Sequence, residues 1–208
     1  TEIFCKKYIK RIYNTLELNY VGIKTPQFSY NRLKGADPVA HVEMASTGEV
    51  ACIGDNYLEA FLSSWLATEQ KIAKKKLLLS IASEKIEKFI PYLTNLEAND
   101  WEVFATEGTH RYLAKRGIGS ICLYKPKDNL EPNIVSFLDQ KEIDLIINIP
   151  TQDIQQNSSD GYFIRRTAID YHIPLITNTQ LATLFLLCLS KIKQDNLPVK
   201  SLNEYINH

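Results

Sequence analysis

The chain has 208 residues, 45% of them hydrophobic, with 24 Lys+Arg against 24 Asp+Glu. That composition supports a packed core and excludes a mostly disordered chain. The charge balance argues against a general nucleic-acid or membrane-surface binder, which carries a basic excess. No apolar run is long enough to span a bilayer, and no signal-peptide pattern opens the chain. Cys5, Cys52, Cys122 and Cys188 lie far apart without a CxxC pair. A cysteine zinc site is therefore not expected, and free thiols in a reducing, cytoplasmic compartment are. His41, His110, His172 and His208 also lack metal-ligand spacing. The missing initiator Met fits a fragment or a processed product.

Residues 1–18 place Ile3, Phe4, Tyr8, Ile9, Ile12, Tyr13 and Leu16 at helical spacing. Pro26 and Pro38 punctuate an irregular stretch over 25–39, with a turn at 35–38. A short strand is expected at 42–44, and a turn then a second strand at 46–54, ended by Gly54. Asp55 reads as the N-cap of a helix over 57–67, with Leu58, Phe61, Leu62 and Trp65 on one stripe. Residues 1–68 offer too little core to stand alone without disulfides or metal. They are the tail of a larger domain, or they pack on the domain C-terminal to them.

Residues 69–76 form a basic, solvated linker. Strands at 77–82, 101–105, 119–124, 143–149 and 174–177 then alternate with helices at 87–98, 109–115, 132–140, 162–171 and 180–192. Pro91 fits its helix only in the first turn, and Pro132 opens another. A polar tail over 193–208 carries a weak amphipathic piece near its end. Continuous apolar strands require burial on both faces. The alternation predicts an α/β domain over 77–192, a five-stranded doubly wound parallel sheet. Its ligands belong beyond the carboxyl ends of the strands.

The segment Thr106-Glu107-Gly108-Thr109 is the turn between the second strand and its helix. A helix start offers unpaired N–H donors and a positive partial charge, suited to phosphate or carboxylate. Read alone, it is more often a bare N-cap than a ligand site. The other strand ends carry Lys85, Lys125, Asn148, Thr151 and Asn178, with no acid–base pair, Cys/His couple or carboxylate cluster. This edge fits binding an anion better than catalysis, and no catalytic residue is assigned. Arg165-Arg166 open the fourth helix, against its dipole, and serve a phosphate or pair with an acid across the domain. The polar stretch 151–161 reads as a loop able to order over a ligand.

Residues 25–38 and 42–52 closely resemble the end of the second ATP-grasp half of the carbamoyl-phosphate synthase large subunit. Residues 75–192 resemble the methylglyoxal-synthase-like domain that follows it there, through Ala105-Thr106-Glu107-Gly108-Thr109, Asp144-Leu145-Ile146-Ile147-Asn148-Ile149-Pro150 and Ile164-Arg165-Arg166-Thr167-Ala168-Ile169-Asp170. The resemblance implies an α+β ATP-grasp tail before a Rossmann-like regulatory domain. It implies a small anionic effector at Thr106, Thr109, Lys125, Asn148, Thr151 and Lys85. Lys125 falls where nucleotide-regulated members carry lysine, and Thr151 and Gly161 replace asparagines used for acetylglutamate. A nucleotide such as UMP, IMP or UTP is thus favoured over N-acetylglutamate.

ATP and Mg are implied for the full-length ligase of the pyrimidine and arginine pathways, with no cofactor in this chain. The implied partners are the rest of the large subunit and, where glutamine rather than ammonia is the nitrogen donor, a glutaminase subunit. The ATP-binding lysines, metal carboxylates and glycine-rich loop of that enzyme are not among these residues. A stand-alone phospholyase of the methylglyoxal synthase type, and a degenerate domain that only packs, are the alternatives.

Overall fold

A computed structural model describes residues 18–32, 34–39, 46–68, 70, 72, 74–97, 99–125, 128, 130–150, 160–192 and 197–206. The helix expected at 1–18 and the strand at 42–44 lie outside these residues. The chain begins with an antiparallel pair, β1 (Val21–Gln27) and β2 (Gly48–Gly54), in register from Val21 opposite Gly54 to Gln27 opposite Gly48. β1 replaces part of the irregular stretch expected from Thr25. Its residues alternate between half-buried and exposed, which a two-stranded ribbon with one covered face requires. The covering helix is α1 (Tyr57–Leu66). Its N-cap is Asn56, not Asp55: Asn56 Oδ1 accepts from Leu58 N and Glu59 N, both at 3.1 Å. Glu59 accepts in return from Asn56 Nδ2 and Asp55 N. Gly54 is obligatory here, since a Cβ would lie 2.5 Å from Ala60 N.

The second unit has five strands: β3 (Lys76–Ile81), β4 (Glu102–Thr106), β5 (Ile121–Leu123), β6 (Leu145–Ile149) and β7 (Leu175–Ile176). All its pairings are parallel, in the order β5-β4-β3-β6-β7. The helices are α2 (Ser83–Ile86), α3 (Ile90–Glu97), α4 (Glu107–Lys115), α5 (Ile134–Asp139), α6 (Asp160–Asp170) and α7 (Thr179–Lys191). The expected five-stranded α/β sheet is therefore present. Three details differ from the sequence reading. The first crossover is helical from Ser83, broken by a 3-10 turn at Glu87–Phe89, and Pro91 does sit in the first turn of α3. Pro132 lies before α5, behind a cis peptide bond, and Asn133 caps the helix by accepting from Val135 N. Arg165 and Arg166 lie inside α6, which opens with Asp160, a residue that complements the dipole.

Two cores flank the sheet. Leu78, Phe104, Leu123 and Ile146 meet Ile134, Leu138, Ile164 and Ala168 of α5 and α6 on one face. Leu77, Leu79, Ile147 and Ala105 meet Leu93, Leu113, Phe185 and Leu189 on the other. Leu58, Phe61, Leu62 and Trp65 of α1 belong to that second core. Phe185 stacks obliquely on Trp65 at 4.7 Å and edge-on to Phe61 at 6.3 Å. The first unit therefore packs on the sheet domain, one of the two options its small core left open.

The end of the expected linker is tied to the sheet domain at Lys74 and at Lys76, which opens β3. Asp144 accepts from the N–H groups of Lys74 (2.7 Å) and Lys76 (3.0 Å), and Glu142 pairs with both lysine side chains. The C-terminal segment also docks: Tyr205 of α8 (Leu202–Ile206) is buried and donates to Ile53 O, while Lys200 pairs with Asp55.

Candidate functional site

β3 lies at the centre; the chain runs outward through β4 and β5, then returns to the other side of β3 as β6. Strand order reverses between β3 and β6, which opens a crevice beyond their carboxyl ends. The predicted residues that are described, Thr106, Thr109, Lys125, Asn148 and Lys85, lie along this edge. Thr106 ends β4 and occupies the N-cap of α4, but its hydroxyl caps nothing in the helix; it donates to Thr109 Oγ1 at 3.2 Å. Thr109 is 2% exposed. Its hydroxyl accepts from Ile81 N and donates to Ile81 O, both at 3.1 Å, which ties the start of α4 to the end of β3. That oxygen is fully engaged inside the fold, whereas Thr106 Oγ1 keeps lone pairs. A Cβ on Gly108 would meet nothing within 4 Å, so the space over the first turn of α4 is open.

Asn148 stands near the end of β6, opposite Ser80, and is 2% exposed. Its Oδ1 accepts from Arg165 Nη1 at 2.8 Å. Lys125, just past β5, pairs with Asp160 Oδ2 at 2.9 Å, so this ion pair links the β5 end to the start of α6. Lys85 Nζ donates to Pro150 O at 2.6 Å, across the β3–β6 crevice. Thr151 lies outside the described residues, as do residues 152–159 of the expected loop. A groove lined by Lys85, Lys88, Thr179, Thr183 and Leu187 takes in only Lys85 of the predicted set.

Sequence reasoning left the role of Arg165 open between a phosphate and an acid. The structure gives the acid: Arg165 grips Asp37 through Nε–Oδ1 (2.6 Å) and Nη2–Oδ2 (2.5 Å). Asp37 and Asp160 were not singled out. Asp37 lies 128 residues from Arg165, and no spacing rule reaches that far. Asp160 carried a weak signal, as the acidic residue before the fourth apolar helix stripe. Among the described residues no group of three or more His, Cys, Asp or Glu is placed to hold a metal ion. No helix among them is long and apolar enough to cross a membrane.

Cys122, close to this edge, has its thiol held above the ordinary range by burial and by the nearby Glu107 carboxylate. It is a poor nucleophile in that state. The arrangement gathers hydroxyl and amide groups and two ammonium groups, each already partnered within the fold, along one edge of the sheet.

Residues 88–177 match the family model described as MGS-like domain. The chain is 41% identical over 181 residues to the multifunctional protein ura1 of Schizosaccharomyces pombe, covering 82% of this chain and 8% of that protein. It is 40% identical over 192 residues to the multifunctional protein pyr1-3 of Dictyostelium discoideum, with 89% and 9% covered. It is 37% identical over 191 residues to the human mitochondrial carbamoyl-phosphate synthase [ammonia], with 90% and 12% covered. The chain therefore spans about a tenth of the length of these relatives.

Proposed function

The chain carries a member of the MGS-like domain family at residues 88–177, and from that premise we propose that it is the C-terminal regulatory region of a carbamoyl-phosphate synthase large chain. It binds a small anion at the carboxyl edge of the sheet and performs no chemistry itself. The observation that carries this reading is the open first turn of α4, on the same carboxyl edge of the sheet as Thr106 at the end of β4, Lys125 just past β5 and Asn148 near the end of β6. Free N–H groups at a helix start favour an anion by orientation and partial charge together. Lys125 adds a full charge once it leaves Asp160. Thr109 fixes the turn rather than offering its own hydroxyl.

A phosphate-bearing nucleotide such as UMP, IMP or UTP suits these donors better than N-acetylglutamate. Gly161, above Asn148, presents no side chain that would recognise an acetylamide. Occupancy is communicated to the rest of the synthase chain, where ATP and Mg act on a nitrogen donor that is either ammonia or glutamine.

One observation favours a competing reading, a domain that only packs: Lys125 and Lys85 both already have partners within the fold. Calorimetry with UMP, IMP, UTP and N-acetylglutamate separates the two. Binding of a nucleotide, with heat lost in Lys125→Ala, supports regulation. A folded chain that binds none of the four is the packing domain.

A further inference from the structure

On that reading of the strand edge, we propose that the site is completed from outside the parallel sheet. Asp37, in the segment before it, holds Arg165; Arg165 sets the polarity of Asn148; and anion binding is linked in this way to the docking of residues 34–37.

Arg165 is 4% exposed and its guanidinium is used from both sides. One side forks onto the two oxygens of Asp37, the geometry that best satisfies a planar cation. The remaining Nη1 donates to Asn148 Oδ1 at 2.8 Å. A guanidinium has donors only, so it commits the amide oxygen of Asn148 and turns the amide NH2 away from itself. That orientation makes Asn148 a donor toward the strand edge, as an anion requires. The start of α6 closes over this junction. A Cβ on Gly161 would lie 3.0 Å from Arg165 Nη1 and 3.8 Å from both amide atoms of Asn148.

The same helix holds the first unit at further points. Tyr162 Oη donates to Gly35 O at 2.9 Å, and Arg166 Nη1 reaches Tyr30 O and Ala36 O, both at 3.3 Å. At its first turn, Asp160 takes Lys125. α6 thus touches the strand edge through Asp160, Gly161 and Arg165, and the preceding segment through Tyr162, Arg165 and Arg166. Arg165 belongs to both sets and is a positioning residue. Without Asp37 its buried charge is uncompensated and it seeks other acceptors. The Asn148 amide then loses its orienting partner and is free to present oxygen instead of nitrogen. Coupling between two sites is reciprocal, so an anion that fixes Asn148 also tightens the segment carrying Asp37.

The test uses the whole chain, with UMP and uridine as probes. Asp37→Asn lowers UMP affinity about 10-fold while uridine affinity moves less than about twofold, and Asp37→Glu restores most of the loss. A general loss of structure would lower both affinities and would not be rescued by Glu. In the unmodified chain, UMP slows amide exchange at residues 34–37. Without ligand, Asn148→Ala speeds exchange at the same residues. If UMP fails to bind the folded parent, the strand-edge reading fails, and the exchange response to Asn148→Ala still decides the Asp37–Arg165–Asn148 link. Exchange at 34–37 that ignores both UMP and Asn148→Ala, or a UMP/uridine ratio unchanged in Asp37→Asn, overturns the inference.

Discussion

Phe185→Ala tests whether the first unit and the sheet domain share one core. Phe185 is fully buried on α7, with Trp65 and Phe61 of α1 against its ring and the sheet beneath. Truncating a buried Phe to Ala costs about 3–5 kcal/mol, through lost transfer energy and the cavity left behind. Two aromatic contacts are lost as well, each worth about 0.5–1.5 kcal/mol beyond area. The loss therefore falls near the top of that range, about 4–5 kcal/mol. That is a large share of the roughly 5–15 kcal/mol that holds a domain folded.

The two tryptophans report separately, Trp65 from α1 and Trp101 from the connection between α3 and β4. Urea unfolding of the single-tryptophan variants Trp101→Phe and Trp65→Phe should give coincident transitions, and Phe185→Ala should move both together. A loss below about 1 kcal/mol, or a Trp65 transition well ahead of that of Trp101, would refute a shared core.

Three further outcomes are expected on the same structural grounds. Trp65 Nε1 is buried and has no hydrogen-bond partner among the described residues. A stranded donor costs about 1–3 kcal/mol, so Trp65→Phe should stay within about 1 kcal/mol of the parent in urea melts despite its smaller ring. The hydrogen bond from Lys76, then that from Lys74, holds the Glu142 carboxyl below its ordinary value of 4.5. A depressed folded value gives stability that is present above the ordinary carboxylate range and lost as pH falls through the folded value. The urea midpoint of Glu142→Gln should thus trail the parent at about pH 6, and the gap should narrow as pH falls below the ordinary carboxylate range. Burial pushes the Cys188 thiol up to about 12. Its S–H donates to Leu58 O, so at about pH 8 a thiol reagent should reach Cys188 only at the global unfolding rate, and faster labelling would mean that α1 lifts off α7 alone.

The sheet was legible because its strands are uninterrupted apolar runs. Leu77-Leu78-Leu79 and Leu145-Ile146-Ile147 are buried on both faces, and only a covered parallel sheet needs that. β1 was not legible. Its alternate residues face water and Pro26 falls inside it, which a two-stranded ribbon tolerates and a central strand does not. The N-cap of α1 shifted by one residue because Asp55 and Asn56 both have capping chemistry; the bonds from Leu58 N and Glu59 N to Asn56 Oδ1 decide between them.

Long-range charge pairing was the larger gap. The lysines at 74 and 76 read as solvated because Glu142 and Asp144 lie some seventy residues away. Arg165 and Asp37 are separated by a still longer stretch. Sequence reading placed Thr106, Thr109, Lys125, Asn148 and Lys85 at the carboxyl ends of the strands, where the structure has them. It could not separate groups already engaged by the fold, such as the Thr109 hydroxyl, from groups left with capacity, such as that of Thr106.

The most direct measurement is an amide-resolved NMR titration of the folded chain with UMP. Binding at the strand edge predicts saturable shifts at Glu107, Gly108, Lys125 and Asn148, abolished in Lys125→Ala, with Gly108→Ala weakening binding by filling the open space above α4. No saturable shift, or shifts confined to the groove around Lys88 and Thr183, would contradict it.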